Sequence, residues 1–417
     1  EIDLPESVTS IASSAFRDCE SLRRMSLPDG LTELPSSLFY GCSALEEVEL
    51  PANLTSIGEH VFRMSGLRSI MIPASVTEIG KYAFTGSEKL ESVTFEEGSS
   101  LTEIGDSTSS NIDGAFAECT ALKYINLPEG LTVIPEDLFN GCTSLENIVI
   151  PTTITRIGEA AFEGCVKLAS ISIYASVVEI GANAFANCPN LTLDIDERNT
   201  EFLLEDGILY NSSRTEIVAI LSLPEGEVVI SDTIESVPAG AFAGSAITKI
   251  TLPASVTEIG ANMFANCVNL KEVVLNGQIT SIGANAFENC TALESFKVGR
   301  HVTSIGTSAF EGCTNLDTLT FESGGTNALR IGTYAFRNCT SLGSVLFPLH
   351  LRNSGNNVAI GMNAFEGCAN LKSVSFEEGI SNLSGSVSIG SRAFQNCTSL
   401  TSVALPDYMS SSLSLAA

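Results

Sequence analysis

A phenylalanine returns fifteen times along the 417-residue chain, most often at one constant interval. The interval from Phe116 to Phe139 recurs from Phe139 to Phe162. One clean unit, residues 252–275, reads LPASVTEIGANMFANCVNLKEVVL. Self-similarity at this period, about 23 positions, predicts a repeat architecture in which each unit packs on its neighbours. The fifteen positions are Phe16, Phe39, Phe62, Phe84, Phe116, Phe139, Phe162, Phe185, Phe242, Phe264, Phe287, Phe310, Phe336, Phe365 and Phe394.

The first part of each unit predicts a short β-strand with one buried face. In the segment SLENIVIP, Ile148 and Ile150 fall on one face of such a strand. Asn147 and Val149 fall on the other face, which gives the alternation typical of a half-buried strand. Pro151 then ends the strand, because proline has no amide proton for the ladder.

The second part of each unit predicts another short extended piece and a turn. An apolar pair such as Val256 and Ile259 follows the proline. Glycine, or proline at Pro35, Pro135 and Pro238, then stands four residues before the phenylalanine. Since proline holds φ near about −65°, this corner does not need a left-handed residue. Proline also suits the first position of a helical turn, so we expect one turn of helix at xxAFxxC, with Ala and Phe pointing inward.

No such unit closes a core alone, whereas stacked units bury a continuous one. The sequence therefore predicts one β-rich solenoid of about fifteen coils with short helical turns. We expect an N-terminal repeat array over 1–193 and an insertion over 194–236. A C-terminal repeat array over 237–406 and a tail over 407–417 complete the predicted organisation.

Every cysteine stands three residues after the recurring phenylalanine, and the remaining three units carry Ser65, Ser87 and Ser245 there. Zinc sites use pairs such as C-x₂-C within one loop, and the chain contains no such pair. Side chains in a ladder point in parallel, which suits a disulfide poorly. We therefore expect buried, reduced cysteines that pack like small apolar residues, with disulfides or metal binding as the alternatives. The cysteines are Cys19, Cys42, Cys119, Cys142, Cys165, Cys188, Cys267, Cys290, Cys313, Cys339, Cys368 and Cys397.

The pattern LPxxVTxIGxxAFxxCxxLxxVxLP resembles the BspA-like leucine-rich repeats over nearly the whole chain. This resemblance implies a right-handed leucine-rich-repeat superhelix. It also implies a place on a cell surface, where such proteins adhere to host proteins or to other cells. The family has no catalytic motif to transfer to this chain.

The charge and composition of the chain disfavour several classes of function. Lys and Arg number 21 against 49 Asp and Glu, a formal net charge of −28, which disfavours nucleic acid and anionic membranes as partners. No run of 18 apolar residues is present to insert into a membrane. His60, His301 and His350 are the only histidines, and no Gly-rich phosphate loop follows a strand. We therefore predict a protein that is not an enzyme, with no catalytic, cofactor-binding or metal residue and with a protein ligand as partner.

The longest departure from the period lies between Phe185 and Phe242, which are more than two ordinary intervals apart. Within it, GILY and EIVAI flank the turn-rich NSSRT, which predicts a β-hairpin. An acidic string there is a solvated loop or, alternatively, a calcium site, although it lacks the Gly and terminal Glu of an EF-hand loop. The string comprises Asp194, Asp196, Glu197, Asn199 and Glu201.

Other departures and the outward strand positions are candidate binding surfaces. Insertions occupy 106–113, 322–330, 348–359 and 378–388. They form a binding surface along one edge of the solenoid or, alternatively, are neutral variations in length at a corner that tolerates them. The outward strand positions are mostly Ser and Thr, which fits a shallow protein–protein surface or plain solvent exposure. They include Arg24/Ser26, Glu47/Glu49, Ser92/Thr94, Tyr124/Asn126, Ser170/Ser172, Thr318/Thr320 and Ser373/Ser375. N-x-[ST] triplets, acceptors in a eukaryotic secretory pathway, begin at Asn53, Asn190, Asn211, Asn289, Asn338, Asn382 and Asn396.

Two functions follow from the sequence. The first is a cell-surface or secreted scaffold for protein interaction, with adhesion as its role. The second is a structural subunit that associates end to end into filaments, because neither end of the repeat array shows a polar cap. We expect the missing caps to mean either that the chain is part of a longer protein or that its ends meet another chain.

Overall fold

The structure is a computed structural model that describes residues 2–105, 114–221, 224–352, 359–377 and 387–404, and the backbone of 413–415. Its internal contacts divide the chain into two compact units. Unit 1 comprises Glu1–Ser213 and Val218–Ser222, and unit 2 comprises Arg214–Ile217 and Leu223–Ala417. Both are β-solenoids built from short parallel strands, which confirms the predicted fold class.

The strands are short, as expected for a repeat unit that must turn back on itself within each coil. The first nineteen are β1 (Ile2–Asp3), β2 (Arg24–Ser26), β3 (Glu33–Leu34), β4 (Glu47–Glu49), β5 (Ser56–Ile57), β6 (Ser69–Ile72), β7 (Glu78–Ile79), β8 (Ser92–Phe95), β9 (Glu103–Ile104), β10 (Tyr124–Asn126), β11 (Val133–Ile134), β12 (Asn147–Val149), β13 (Arg156–Ile157), β14 (Ser170–Ile173), β15 (Glu179–Ile180), β16 (Thr192–Ile195), β17 (Phe202–Glu205), β18 (Ile208–Asn211) and β19 (Ile217–Ile220). The others are β20 (Glu225–Val229), β21 (Ala246–Leu252), β22 (Glu258–Ile259), β23 (Glu272–Leu275), β24 (Ser281–Ile282), β25 (Ser295–Val298), β26 (Ser304–Ile305), β27 (Thr318–Phe321), β28 (Arg330–Ile331), β29 (Ser344–Phe347), β30 (Ser373–Phe376), β31 (Val387–Ile389), β32 (Ser402–Ala404) and β33 (Leu413–Leu415).

Equivalent positions of successive coils lie side by side in parallel sheets. Met25 pairs with Val48 on the face formed by the longer strands, and Ile57 pairs with Ile79 on the face formed by the two-residue strands. In unit 1 these faces include the sheets β6-β8-β10-β12 and β3-β5-β7-β9. Because the register pairs equivalent residues of neighbouring repeats, each position of the repeat becomes a column of similar side chains along the stack.

The recurring phenylalanines form the centre of each unit. In unit 1 their rings stack from Phe16 to Phe185, with neighbouring centroids 5.1–5.9 Å apart. In unit 2 they stack from Phe242 to Phe394 at 4.9–5.6 Å. Most of these rings are fully buried, so the aromatic content of the repeat is used in the core.

The predicted helical turn around each phenylalanine is wrong, since the described residues contain no helix. The segment is a succession of tight turns. In the first repeat, the amides of Arg17 and Cys19 donate to carbonyls three residues earlier. The amides of Ser14, Phe16 and Asp18 instead donate to carbonyls of the next coil. Bonds between coils therefore take the place of the bonds along the chain that a helix needs.

Left-handed residues on both sides of the phenylalanine enforce these turns. Ser14 and Asp18, two positions before and after Phe16, have φ of 61° and 57°. The same positions in other coils are often Asn or Gly, the residues that adopt this conformation most readily. This requirement explains the three Asn-Cys-Thr triplets, because Asn289, Asn338 and Asn396 all have positive φ.

The glycine that stands four residues before the phenylalanine has a different role. Gly158 and Gly283 do not have positive φ, in agreement with the prediction for this corner. A Cβ atom on Gly158 would lie 2.5 Å from the backbone nitrogen of Glu136 in the preceding coil. A Cβ atom on Gly283 would lie 2.5 Å from the backbone nitrogen of Ala261. The glycine therefore permits close approach of two coils.

The long insertion contains a three-stranded sheet in the order β17-β18-β19. Strands β18 and β19 are the GILY and EIVAI segments, which are neighbours in that sheet. Strand β17, which pairs antiparallel with β18, was not predicted from the sequence. Asp206 and Gly207 join these two strands with φ of 48° and 77°, as a type I′ hairpin turn requires. Their Asp-Gly dipeptide is the sequence signal for that turn.

Several predicted rim segments lie partly or wholly outside the described residues: all of 106–113, half of 348–359 and most of 378–388. The segment 322–330 is described, and it leads into β28.

Candidate binding site

The thiols lie in two internal columns, one in each unit, and all twelve cysteines are free of disulfides. Ten are buried, whereas Cys19 and Cys397 are partly exposed. Every cysteine after Cys19 donates a hydrogen bond of 3.0–3.2 Å from its Sγ atom to a phenylalanine carbonyl of the preceding coil. Ten of the thiols are buried as predicted, but the predicted apolar role is incomplete because the eleven cysteines after Cys19 are also donors.

Serine at the same position supports this role. The Ser87 hydroxyl donates to the carbonyl oxygen of Phe62 at 2.6 Å, and it lies 3.0 Å from the Ser65 hydroxyl. The Ser245 hydroxyl lies 3.4 Å from the Sγ atom of Cys267. The exchange of Cys for Ser was visible in the sequence, and it was the signal that the column carries donors rather than purely apolar groups.

Burial holds these cysteines in the thiol form. It raises the pKa of Cys42 to about 11 and the pKa of Cys119 to about 12. Since the thiolate is the nucleophile and the metal ligand, buried thiols of this kind are chemically inert at neutral pH. Among the described residues, no group of three or more His, Cys, Asp or Glu side chains is arranged to hold a metal ion.

Two residues of the acidic string, Asp196 and Asn199, bond to protein groups through their side chains. Asp196 accepts hydrogen bonds from the Arg198 guanidinium at 2.7 and 3.0 Å, and this pairing lowers the pKa of Asp196 to about 2. The Asn199 amide donates to the carbonyl oxygens of Tyr174 and Val177 in the preceding coil. These bonds attach the insertion to the repeat before it, which is the structural role of the string.

The outward face of the sheet β6-β8-β10-β12 carries exposed apolar side chains. Met71, Tyr124 and Val149 are 60%, 55% and 56% exposed, in columns otherwise occupied by Ser, Thr and Asn. The register places Met71 and Val149 in one column, three strand spacings or about 14 Å apart. Tyr124 lies in the adjacent column on β10, next to the strand of Val149. We call these three residues the apolar triad.

Charged residues stand immediately before three of these strands. Glu91 lies 2.9 Å from the Lys123 ammonium and 3.6 Å from the Arg68 guanidinium. The hydrogen bond from Lys123 lowers the pKa of Glu91, which keeps this carboxylate ionised. Because all three side chains are exposed, the pairs add little stability. They form a charged border beside the apolar triad, the arrangement of a polar rim around an apolar patch.

A second surface cluster in unit 1 combines cations with aromatic rings. The Arg17 guanidinium lies 4.0 Å above the Tyr40 ring, and the Arg63 guanidinium lies 5.7 Å from that ring and 5.4 Å from the Tyr82 ring. His60 stacks on Tyr82 at 4.8 Å. These groups interact with one another across four coils, so the cluster joins coils together.

The three histidines have separate environments. His60 belongs to the cation–aromatic cluster, His301 is exposed, and His350 is buried in unit 2. Burial lowers the pKa of His60 and of His350.

No helix in the described residues is long and apolar enough to cross a bilayer.

Three solved structures are similar to this chain. A leucine-rich repeat protein from Bacteroides ovatus is 26% identical, with 90% of this chain and 83% of that chain covered and a TM-score of 0.46. The pneumococcal vaccine antigen PcpA is 20% identical, with 89% and 83% covered and a TM-score of 0.47. A leucine rich cell surface protein from Faecalibacterium prausnitzii is 25% identical, with 85% and 83% covered and a TM-score of 0.42. No curated protein sequence matches the chain.

The family described as BspA type leucine rich repeat region, in 6 copies, matches residues 1–114, 107–216, 225–343 and 358–414. These matches include both units and nearly the whole length of the sequence. The chain therefore belongs to the BspA-type leucine-rich repeat family.

Proposed function

We propose that this chain is a protein-interaction scaffold outside the cell, and that it mediates adhesion to proteins of a host or of a neighbouring cell. The apolar triad is the observation that carries the proposal. Met and aromatic residues are enriched in the cores of protein interfaces, and an exposed group of them on a regular sheet favours a protein partner. Membership of the BspA-type family supports the scaffold role, and the location follows the expectation for that family.

The chemistry of the triad favours a protein over other ligands. Tyr124 is the one aromatic side chain on the outward face of this described sheet, whereas sugar-binding faces usually offer several aromatic platforms. The net charge of −28 disfavours a nucleic-acid backbone. A flat face with Met71 and Val149 about 14 Å apart suits a broad protein surface with one central aromatic contact.

Surface plasmon resonance with purified host matrix proteins, together with adhesion of intact cells to the immobilised chain, tests this function. The variant carries Met71→Ser, Tyr124→Ser and Val149→Ser. The matched control carries Val166→Ser and Val178→Ser, two exposed apolar residues of unit 1 outside the triad. We expect the triad variant to bind at least about tenfold more weakly and the control to bind normally. Equal loss in both variants, or binding by neither native protein nor variants, would contradict the proposal.

A further inference from the structure

A cleft of about 310 Å³ opens in the strand face of unit 2. Val273 and Leu275 of β23 line one side, and Phe296 and Lys297 of β25 line the other. Val273 and Leu275 occupy inward positions that are buried in most other coils, yet both are only half-buried. Part of the apolar interior is therefore accessible to a ligand at this point.

The cleft lies where the parallel sheet is interrupted. Strand β23 is the last of the sheet β20-β21-β23, and β25 is the first of the pair β25-β27. In the described chain, no backbone hydrogen bond joins 271–276 to 294–299. The facing edges of these two strands consequently retain unpaired backbone donors and acceptors.

Two local sequence changes account for the opening. Phe296 occupies a core position that is Met, Val, Ile or Leu in the other repeats, and its ring packs against Phe287 and Phe310 at 5.2 and 4.9 Å. Pro253 is buried at the corner that follows β21. The equivalent residues of the next two coils are Asn276 and Gly299, so neither coil has a proline at this corner. The corner thus lacks the proline ring that fills it in many other coils, such as those of Pro151 and Pro253, while a larger ring occupies the core below.

The rim of the cleft carries an excess of cationic groups. The Lys297 ammonium pairs with Glu322 at 2.5 Å, and Glu322 also accepts from the backbone amide of Arg300 at 3.3 Å. Glu322 therefore already balances the charge of Lys297. The Arg300 guanidinium forms no ion pair of its own among the described residues. The hydrogen bond from Lys297 lowers the pKa of Glu322, and the charge of Arg300 acts in the same direction. The exposed His301 ring lies beside Arg300 on the rim.

We propose that this cleft binds a carboxylate attached to a compact apolar group. The guanidinium of Arg300 offers two parallel donors to the carboxylate, and His301 adds a third polar contact. The apolar group packs on Val273, Leu275 and the edge of Phe296. The volume is near the lower end of the roughly 300–1,000 Å³ range of ligand pockets, so it accommodates one residue-sized group.

The same chemistry has two sources: the C-terminal residue of a peptide and a free small carboxylic acid. Isothermal titration calorimetry with the full chain distinguishes them. The probes are N-acetyl-leucine, a pentapeptide that ends in leucine, and the C-terminal amide of each. We expect both acids to bind and their amides to bind at least about tenfold more weakly, because the amide loses the charge-assisted pairing. Tighter binding of the pentapeptide acid identifies a peptide terminus, and tighter binding of N-acetyl-leucine identifies a free acid.

Three variants test the site itself. Arg300→Gln removes the guanidinium that pairs with the ligand carboxylate. Gly299→Pro restores the proline of the repeat, whose ring fills the corner. The added Cβ atom on residue 299 fits without a clash, because it would have only the Glu322 carboxylate near it, at 3.9 Å. Lys271→Gln removes an exposed cation outside the cleft and is the control. We expect about tenfold weaker binding in each of the first two and no change in the control, with circular dichroism confirming that all three fold.

Equal binding of acid and amide, or no binding of either acid at millimolar concentration, would overturn the proposal. So would unchanged affinity in the Arg300→Gln variant. These outcomes are independent of the adhesion assay, because the apolar triad belongs to unit 1 and is intact in all three cleft variants.

Discussion

The Sγ atom of Cys142 lies 3.1 Å from the carbonyl oxygen of Phe116 in the preceding coil and donates a hydrogen bond to it. The same oxygen accepts the amide of Cys119 within its own coil at 3.3 Å. Most phenylalanine carbonyls in the two columns receive both kinds of bond, one along the chain and one from a thiol or hydroxyl of the next coil. The thiol therefore forms a hydrogen bond between two repeats and also packs in the core.

Replacement of one thiol separates these two roles. Cys142→Ser keeps a donor at the position where Ser87 already bonds the Phe62 carbonyl at 2.6 Å. Cys142→Val keeps apolar bulk but removes the donor. We expect the valine variant to be less stable than the serine variant by about 1 kcal/mol, the usual worth of one hydrogen bond. Urea unfolding followed by circular dichroism measures the difference, and equal midpoints would show that packing alone selects cysteine.

Thiol labelling of the native protein measures the accessibility of the column. Ten buried cysteines should react slowly with iodoacetamide, because burial both blocks access and raises the thiol pKa, to about 12 for Cys119 and for Cys188. Cys19 and Cys397 are partly exposed, so a reagent reaches their sulfur atoms more easily. We therefore expect at most two fast sites, identified by peptide mass spectrometry. Rapid labelling of Cys142 or Cys290 without denaturant would contradict this structure.

The corner glycines should tolerate no side chain. In Gly283→Ala, the new Cβ would lie 2.5 Å from the backbone nitrogen of Ala261, so two coils must separate. We expect a loss of about 1–3 kcal/mol, as for other overpacked interiors. Gly343→Ala is the matched control in the same unit, since a Cβ there has no neighbour within 4 Å and φ is not positive. Thermal unfolding compares the two, and a similar change in both would exclude the close approach as the cause.

The repeat, its strands and its core were predictable because they follow from periodicity alone. Ile148 and Ile150 alternate with Asn147 and Val149, and the phenylalanine spacing fixes which positions share a column. When the units stack in register, their apolar positions are removed from water together, so the sequence also predicts which residues form the core.

The turns and the cleft were not predictable in this way. Asn289 and Gly41 look unrelated in sequence, and only the backbone shows that both supply a left-handed φ. The cleft depends on two neighbouring coils that together lack a proline and contain Phe296. Each change alone resembles ordinary variation, and its consequence appears only when the coils are adjacent in space.

The buried imidazole of His350 should make unit 2 sensitive to acid. The side chain is 2% exposed, and its Nδ1 atom has no hydrogen-bond partner among the described residues. Burial lowers its pKa, with Arg352 acting in the same direction and Glu377 against it. The unfolded chain, with an ordinary histidine pKa of about 6.5, therefore binds more protons than the folded chain as the pH falls below that value.

We accordingly expect the free energy of unfolding to decrease below about pH 6.5, with part of the decrease due to His350. His350→Phe removes the titrating group and should reduce this pH dependence, whereas the exposed His301→Gln is the control in the same unit. Urea unfolding of the native protein and both variants at pH 7.5 and pH 5.0 gives the comparison. The difference in midpoint between the two pH values should be smaller in His350→Phe than in the other two proteins. An equal difference in all three would assign the acid sensitivity to the carboxylates instead.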